Sequence, residues 1–335
     1  MLEYLLGVTQ VTAGTLLTIT MLTSSVVAGG LVGLALSFRN LPDVRLLRNY
    51  IPAETSYIYD MNGTMLSSIH DEANREVVDL NEVSPNLKRA VLAIEDSYFF
   101  SHHGINPSSI ARAFLANLKE GSTVEGASTI TMQLVKNLFL SPEQSISRKM
   151  AEAVLALRLE QVFSKDQILE MYLNQVYWGH NTYGAETAAK SYFNKHASEL
   201  TLAEAAMMAG VIQAPEDYSP FINYQLAKQR QATVLDRMKR LGWITPEEEK
   251  VAKAQPIQLG QITSFQGSQV PYVTDAVIQE LTDRFGRDAV LKGGMRIQTT
   301  IDLNMQRTAE AVARDGLGSV QSQGVYADQI ALVAV

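Results

Sequence analysis

The feature that most constrains this chain is a long stretch with no charge in it. No Asp, Glu, Lys or Arg occurs between Glu3 and Arg39, and only Gln10 and small Thr and Ser residues interrupt the apolar side chains. About 20 apolar residues cross a bilayer, so the run has length to spare. A cleaved signal peptide has a basic start and a shorter apolar core, whereas this chain begins Met1-Leu2-Glu3. Residues 1–39 therefore read as a transmembrane helical anchor, with Ala28, Gly29, Gly30 and Gly33 as a small-residue packing face. The orientation signal around it is poor. Arg39, Arg45 and Arg48 follow the anchor and nothing basic precedes it, which by the positive-inside rule would leave the body in the cytoplasm.

Beyond the anchor the 335-residue chain is globular in composition, with 46% hydrophobic and 19% charged residues. A net charge of −7 argues against a nucleic-acid partner, and the lack of cysteine excludes disulfides and thiolate metal sites. Residues 40–80 read as a hairpin and linker, with Ser56-Tyr57-Ile58-Tyr59-Asp60 and Thr64-Met65-Leu66 turning on Asn62-Gly63. Ser84-Pro85 then opens a helix as N-cap and first-turn proline. Leu87, Val91, Ile94 and Tyr98 form its apolar stripe. Capping-box patterns start further helices at Ser141, Ser164, Thr201 and Thr245. With no alternating strand pattern from Asn81 to about Gly242, residues 81–245 are expected to form a mostly α domain. A linker is expected over 246–300, with a strand-like segment at its end (295–300). Residues 301–335 then read as the start of a further region. The apolar run 329–335 has the pattern of a buried strand with no turn after it, and so predicts a chain that continues.

Three segments carry the chemistry. The first, Glu95-Asp96-Ser97-Tyr98-Phe99-Phe100-Ser101-His102-His103-Gly104, sets two carboxylates among aromatics directly after an apolar helical run. Glu95 lies one position off the stripe; Asp96 is about 100° further round, so the two acids cannot share one task side by side. In the second, Thr129, Gln133 and Lys136 follow i, i+4, i+7 spacing and would present a hydroxyl, an amide and an ammonium together. Such a set suits a phosphate or sugar hydroxyls, and an ordinary polar helix face is the alternative. In the third, Arg148 and Lys149 pair with Glu152 at the head of a stripe continued by Leu155, Leu159 and Val162. That places a charged turn at the mouth of something buried, against the alternative of a surface ion-pair cluster. Residues 106–126, with Ile110, Phe114, Leu115 and Leu118, read as a mobile apolar loop against the membrane. His70, His102, His103, His180 and His196 make no metal-ligand spacing, and no phosphate-binding glycine pattern occurs.

Together these residues resemble the family 51 peptidoglycan glycosyltransferases. Glu95-Asp96-x-x-Phe99-x-x-His102-x-Gly104, Gly126-x-Ser128-Thr129-x-Thr131-x-Gln133-Leu134-x-Lys136-Asn137 and Arg148-Lys149-x-x-Glu152 are similar to its first three motifs. Lys165-x-x-Ile168-Leu169-Glu170-x-Tyr172-Leu173-Asn174 with Gly179, and Ala209-Gly210-Val211-Ile212-Gln213-Ala214-Pro215, resemble the fourth and fifth. Met132 departs from the pattern, where many members carry a glutamine. The anchor, the hairpin and the segment from about Val270 are similar to class A penicillin-binding proteins.

The resemblance implies a lysozyme-like α fold held outside the plasma membrane. It implies polymerisation of lipid II with inversion, by joining the 4-hydroxyl of incoming lipid II to a growing glycan on undecaprenyl pyrophosphate. Glu95 is then the expected base, raised in pKa by its apolar edge. Lys136, Arg148, Lys149 and Gln133 would neutralise the pyrophosphate, and Glu152 would orient the cations and the donor sugar. Asp96, Phe99, His102 and Thr129 are expected to contact substrate or to position Glu95. Lipid II, the lipid-linked glycan, the membrane and proteins of the elongation or division machinery are the implied partners. No protein-built cofactor site is expected, and a divalent metal on the pyrophosphate is left open.

Two other classes compete: a lysozyme-like hydrolase, which would not need the cationic cluster or an anchor, and an inactive membrane scaffold, which would not need Glu95 and Glu152. A penicilloyl-serine site needs Ser-x-x-Lys. No lysine here has serine three positions before it, and Lys292-Gly293-Gly294 is not the later Lys-Thr/Ser-Gly motif. Transpeptidase chemistry is therefore absent from these residues.

Overall fold

The structure, a computed structural model, describes residues 41–332 except 71–72, 121–127, 142, 144 and 261–267, together with isolated positions between 17 and 39. No helix among the described residues is long and apolar enough to cross a membrane. The anchor expected over 1–39 falls largely outside the described residues.

Helix α1, Pro85–Glu95, begins as its sequence dictates: the Ser84 hydroxyl accepts from the Asn86 and Leu87 amides, and Pro85 fills the first position. It buries Leu87, Ala90, Val91, Leu92 and Ala93. The helix stops at Glu95, with Asp96 as C-cap, so Tyr98 leaves the stripe and stands 50% exposed while Phe99 turns inward. Helix α2 covers Pro107–Glu120. This segment is thus helical where a loop is expected from sequence; Asn106 supplies its start, accepting from the Ser109 amide and the Ser108 hydroxyl.

Helices α3 (Ile130–Phe139) and α4 (Ile146–Val162) pack on each other, and α5 (Lys165–Gln175) packs on α3. The cap of α4 is Ser145, which accepts from the Arg148 amide, rather than Ser141. Helix α6 (Ala185–Phe193) leads to α7 (Leu202–Val211), in which every residue from Ala203 to Val211 is buried. A helix this apolar, with Glu204 as its one charged residue and that one paired with Lys195, must be surrounded, and α1 and α8 (Tyr224–Arg240) enclose it. Helix α9 (Pro246–Ala254) closes that side. The capping boxes at Ser164, Thr201 and Thr245 form as their spacing requires. One large core runs through α1 and α3–α9.

A second, smaller core lies under a three-stranded sheet. Strand β1 (Ser56–Tyr59) pairs antiparallel with β2 (Met65–Ile69), turning at Gly63 with φ +83° while the Asp60 carboxylate accepts from the Asn62 and Thr64 amides. Strands β3 (Asn74–Arg75) and β4 (Thr182–Tyr183) make a separate parallel pair. Helices α10 (Pro271–Phe285) and α11 (Arg287–Lys292) precede β5 (Arg296–Gln298), which joins β1 in parallel. Ile58, Leu66 and Ile69 then share a core with Val270, Val290 and Leu303, the last from α12 (Leu303–Ser322). Segments that read as two linkers, before and after the helical domain, thus meet in one sheet. Residues 325–332 form no strand, and Ile330 and Leu332 are exposed. An apolar run becomes a strand only where another strand receives its hydrogen bonds, and none among the described residues does so here.

Candidate active site

The site is built where the end of α1 meets α3 and the start of α4. Glu95, the last residue of α1, is half-buried, and its Oε2 accepts from Nε2 of Gln133 on α3 at 2.7 Å. Gln133 Oε1 in turn accepts from the hydroxyl of Tyr172 on α5 at 3.1 Å. Burial pushes the Glu95 carboxyl above the usual range; the Gln133 hydrogen bond and the positive charges of Arg230 and Lys136 oppose that rise. A carboxylate balanced this way is a better proton acceptor than one in water and still has groups that favour its charged form.

Asp96 faces the other way. Its Oδ2 lies 2.9 Å from His102 Nε2 and accepts from the Ile130 amide at 3.1 Å, the first amide of α3. A carboxylate at a helix N-terminus stabilises it, so Asp96 ties the Glu95 segment to α3. His102 is buried against it and edge-on to Phe99, which is itself buried and carries Lys165 Nζ 4.3 Å above its ring. Thr129 is the N-cap of α3: its hydroxyl accepts from the Met132 amide and donates to the Gly104 carbonyl at 2.6 Å. Its place outside the helix breaks the i, i+4, i+7 face expected from spacing. Phe99, His102 and Thr129 are thus all buried and make these internal contacts, and Thr129 also lines a small polar pocket beside Glu95. Gly104 has φ +87°, and a Cβ there would stand 2.7 Å from the Ala156 carbonyl oxygen of α4, so only glycine permits this approach.

Gln133 and Lys136 project into a cleft of about 540 Å³, with Arg148, Lys149 and Glu152 of α4 on its other wall. Glu152 is 1% exposed, Lys149 Nζ lies 2.6 Å from its Oε2, and Arg148 Nη1 lies 3.1 Å from its Oε1. The second approach is an ion pair by distance without hydrogen-bond geometry, and both Glu152 Oε1 and Arg148 Nε are buried with no hydrogen-bond partner among the described residues. Lys149 Nζ also donates to Ser128 Oγ at 2.6 Å. The cleft thus carries three cations against one carboxylate, so it favours an anion.

Ser128 lines this cleft and also a smaller polar pocket beside Glu95 and Asp96, to which Arg112 of α2 and Arg237 of α8 contribute. Arg237 donates to Ser97 Oγ at 3.0 Å and reaches back toward the Ala93 carbonyl. Residues of all three sequence segments therefore come together, with Gln133 and Ser128 between the two hollows. Sequence reasoning missed Arg112, Arg230 and Arg237, which lie on helices outside the three segments, and Tyr177 and Tyr183, which line the cleft beside Gln175. Among the described residues no group of three or more His, Asp or Glu side chains could hold a metal ion.

The site this helical domain presents is thus a half-buried glutamate at the edge of a cleft rich in cations, and comparison with known proteins gives its class. Residues 62–239 match the family model described as transglycosylase, and the chain belongs to that family. The chain is 40% identical over 292 residues to penicillin-binding protein 1A of Aquifex aeolicus, covering 87% of this chain and 40% of that protein. It is 39% identical over 299 residues to penicillin-binding protein 1A of Neisseria flavescens, covering 89% and 37%. It is 38% identical over 264 residues to penicillin-binding protein 1F of Bacillus subtilis, covering 78% and 37%. The chain spans about two fifths of the length of these relatives. The mostly α transglycosylase domain expected from the motifs is thus the domain found.

Proposed function

We propose that this chain polymerises lipid II into β-1,4 glycan strands in bacterial cell-wall synthesis. The observation that carries the reading is the pairing of a half-buried, hydrogen-bonded Glu95 with a cleft of three cations around Glu152. The acceptor's 4-hydroxyl oxygen attacks the anomeric carbon of the lipid-linked glycan. Glu95 takes the hydroxyl proton as the new bond forms. The bond from that carbon to the phosphate oxygen breaks, and undecaprenyl pyrophosphate leaves with the electron pair. A sugar hydroxyl is a poor nucleophile and needs this base; pyrophosphate is a good leaving group and needs mainly charge neutralisation. Lys136, Arg148 and Lys149 supply it. Arg112 and Arg237, beside Glu95, suit the acceptor's own phosphates. The residues present do not fit a protein-held metal, because Glu152, the carboxylate of this cleft, is already matched by two cations. A divalent ion would arrive on the pyrophosphate as part of the substrate.

The uncharged run 4–38 supports an anchor that keeps the cleft at the leaflet holding a lipid-tailed substrate, with the body on the outer face of the plasma membrane and proteins of the elongation or division machinery as partners. Protease added to intact cells or spheroplasts should then digest the body; complete protection would reverse the orientation. Incubation with labelled lipid II tests the activity: a glycan polymer is expected. Cleavage of preformed glycan would make the protein a hydrolase, and an unchanged substrate would make it a scaffold.

A further inference from the structure

We propose that Tyr172 is a positioning residue for the base, acting through Gln133 to hold the amide nitrogen, not the amide oxygen, against Glu95. The inference rests on the assignment of Glu95 as base. A glutamine amide can present either end to a neighbour, and the two ends have opposite effects on a carboxylate. Nε2 donating to Glu95 stabilises the charged form that accepts a proton; Oε1 in the same place would repel it. The Tyr172 hydroxyl lies 3.1 Å from Gln133 Oε1 and donates to it, which leaves Nε2 facing Glu95 Oε2 at 2.7 Å. Tyr172 is fully buried on α5, and burial together with the Glu95 and Asp96 charges pushes its phenol well above the usual value. It therefore remains a donor across the pH range in which the enzyme works.

The arrangement also assigns a purpose to a residue on the far side of α3 that touches neither hollow. Without the Tyr172 hydroxyl, Gln133 has no other hydrogen-bond partner among the described residues to hold its carbonyl end, and Glu95 keeps its desolvation while losing a fixed donor. The acid limb of the rate profile, which reports ionisation of the base in the free enzyme, must then move to higher pH.

The test uses the full chain and labelled lipid II, with kcat/KM measured from pH 5.5 to 8.5 for wild type, Tyr172→Phe, Gln133→Ala and the double variant. Tyr172→Phe is expected to raise the acid limb by between about half and one pH unit, the effect of weakening a charge-assisted hydrogen bond. Gln133→Ala should raise it by at least as much, and adding Tyr172→Phe to Gln133→Ala should move it no further. 3-Fluorotyrosine at position 172, which keeps the hydroxyl, should restore the wild-type limb. An acid limb in Tyr172→Phe that superimposes on wild type, or one that shifts equally with and without Gln133, overturns the proposal.

A second measurement needs no turnover and serves even if Tyr172→Phe does not fold. In wild-type protein carrying 13Cζ-tyrosine, the Tyr172 resonance should follow the titration of Glu95; in Gln133→Ala that response should shrink to what the Glu95 charge exerts through space, and a response of undiminished size there overturns the proposal. An unresponsive wild-type resonance counts against the proposal. If Glu95→Gln polymerises at the wild-type rate, the assignment of the base has failed; if Glu95→Gln is inactive while the Tyr172 results are negative, only the relay has failed.

Discussion

Replacing Glu152 by glutamine isolates what its charge does, because the side chain keeps its size and one oxygen. In the structure the carboxylate is 1% exposed and faces two cations, Lys149 at 2.6 Å and Arg148 at 3.1 Å. Removing one member of a buried ion pair costs about 3–5 kcal/mol when the stranded charge cannot find water. Here the Lys149 side chain is 47% exposed and regains solvent, while that of Arg148, 17% exposed, does so only in part. The expected loss of stability is therefore about 2 kcal/mol, after discounting for the exposed partners. In a domain of this size that lowers the melting temperature by about 4–8 °C, which circular dichroism will read. The effect on turnover should be larger, because Arg148 and Lys149 lose the group that aims them at the leaving pyrophosphate. At 25 °C, well below the melt, polymerisation of labelled lipid II should fall by at least about a hundredfold, the scale for losing a preorganised electrostatic contact. Glu152→Gln protein that is folded and polymerises within threefold of wild type would refute the reasoning.

Four further outcomes follow from particular contacts. Glu95→Gln should raise the melting temperature at pH 7.5 and leave it nearly unchanged at pH 4. The Glu95 carboxyl is raised in the folded state, so between its unfolded and folded values the native protein binds more protons than the unfolded chain. Stability then falls as pH rises through that window and stays reduced above it; equal melting temperatures at pH 7.5 would show that no such penalty exists. Gly104→Ala should cost about 3 kcal/mol in a thermal melt, since its φ of +87° and the Ala156 carbonyl leave a Cβ no room. Thr129→Val should lose about 1 kcal/mol through its cap while KM for lipid II stays within about threefold, because the hydroxyl is used internally. A fluorescent penicillin should not label the chain, since no Ser-x-x-Lys occurs in it; a labelled band would reveal an acylable serine.

Much of the helical domain was legible because its signals are local. Ser84-Pro85, and the boxes at Ser164, Thr201 and Thr245, each satisfy backbone amides within one turn, so four residues suffice to read them. Glu95, Gln133, Lys136, Arg148, Lys149 and Glu152 were legible as a charged and polar set beside apolar stripes, and the fold brings them to one place. Orientation was not legible. Thr129 sits at helical spacing from Gln133, yet as the cap it turns its hydroxyl inward; His102 and Phe99 lie in the densest segment and are buried, His102 against Asp96 and Phe99 under Lys165. Arg112, Arg230 and Arg237 reach the site from α2 and α8, and a single arginine on a helix gives no sign of what the fold sets opposite it. The pairing of β5 with β1 joins positions such as Ile58 and Ile297, which no local pattern connects. Of the apolar run 329–335 only 329–332 are described, and these form no strand, since an apolar pattern alone does not provide a neighbouring strand; 333–335 lie outside the described residues.

The proposed chemistry requires Glu95 as the base. The direct measurement is the rate of lipid II polymerisation by Glu95→Gln, purified in parallel with wild type and shown to be folded by its melt. A loss of at least about a hundredfold is predicted, the lower end of what a positioned general base contributes. A folded Glu95→Gln protein that builds glycan at a rate within a few-fold of wild type would contradict it.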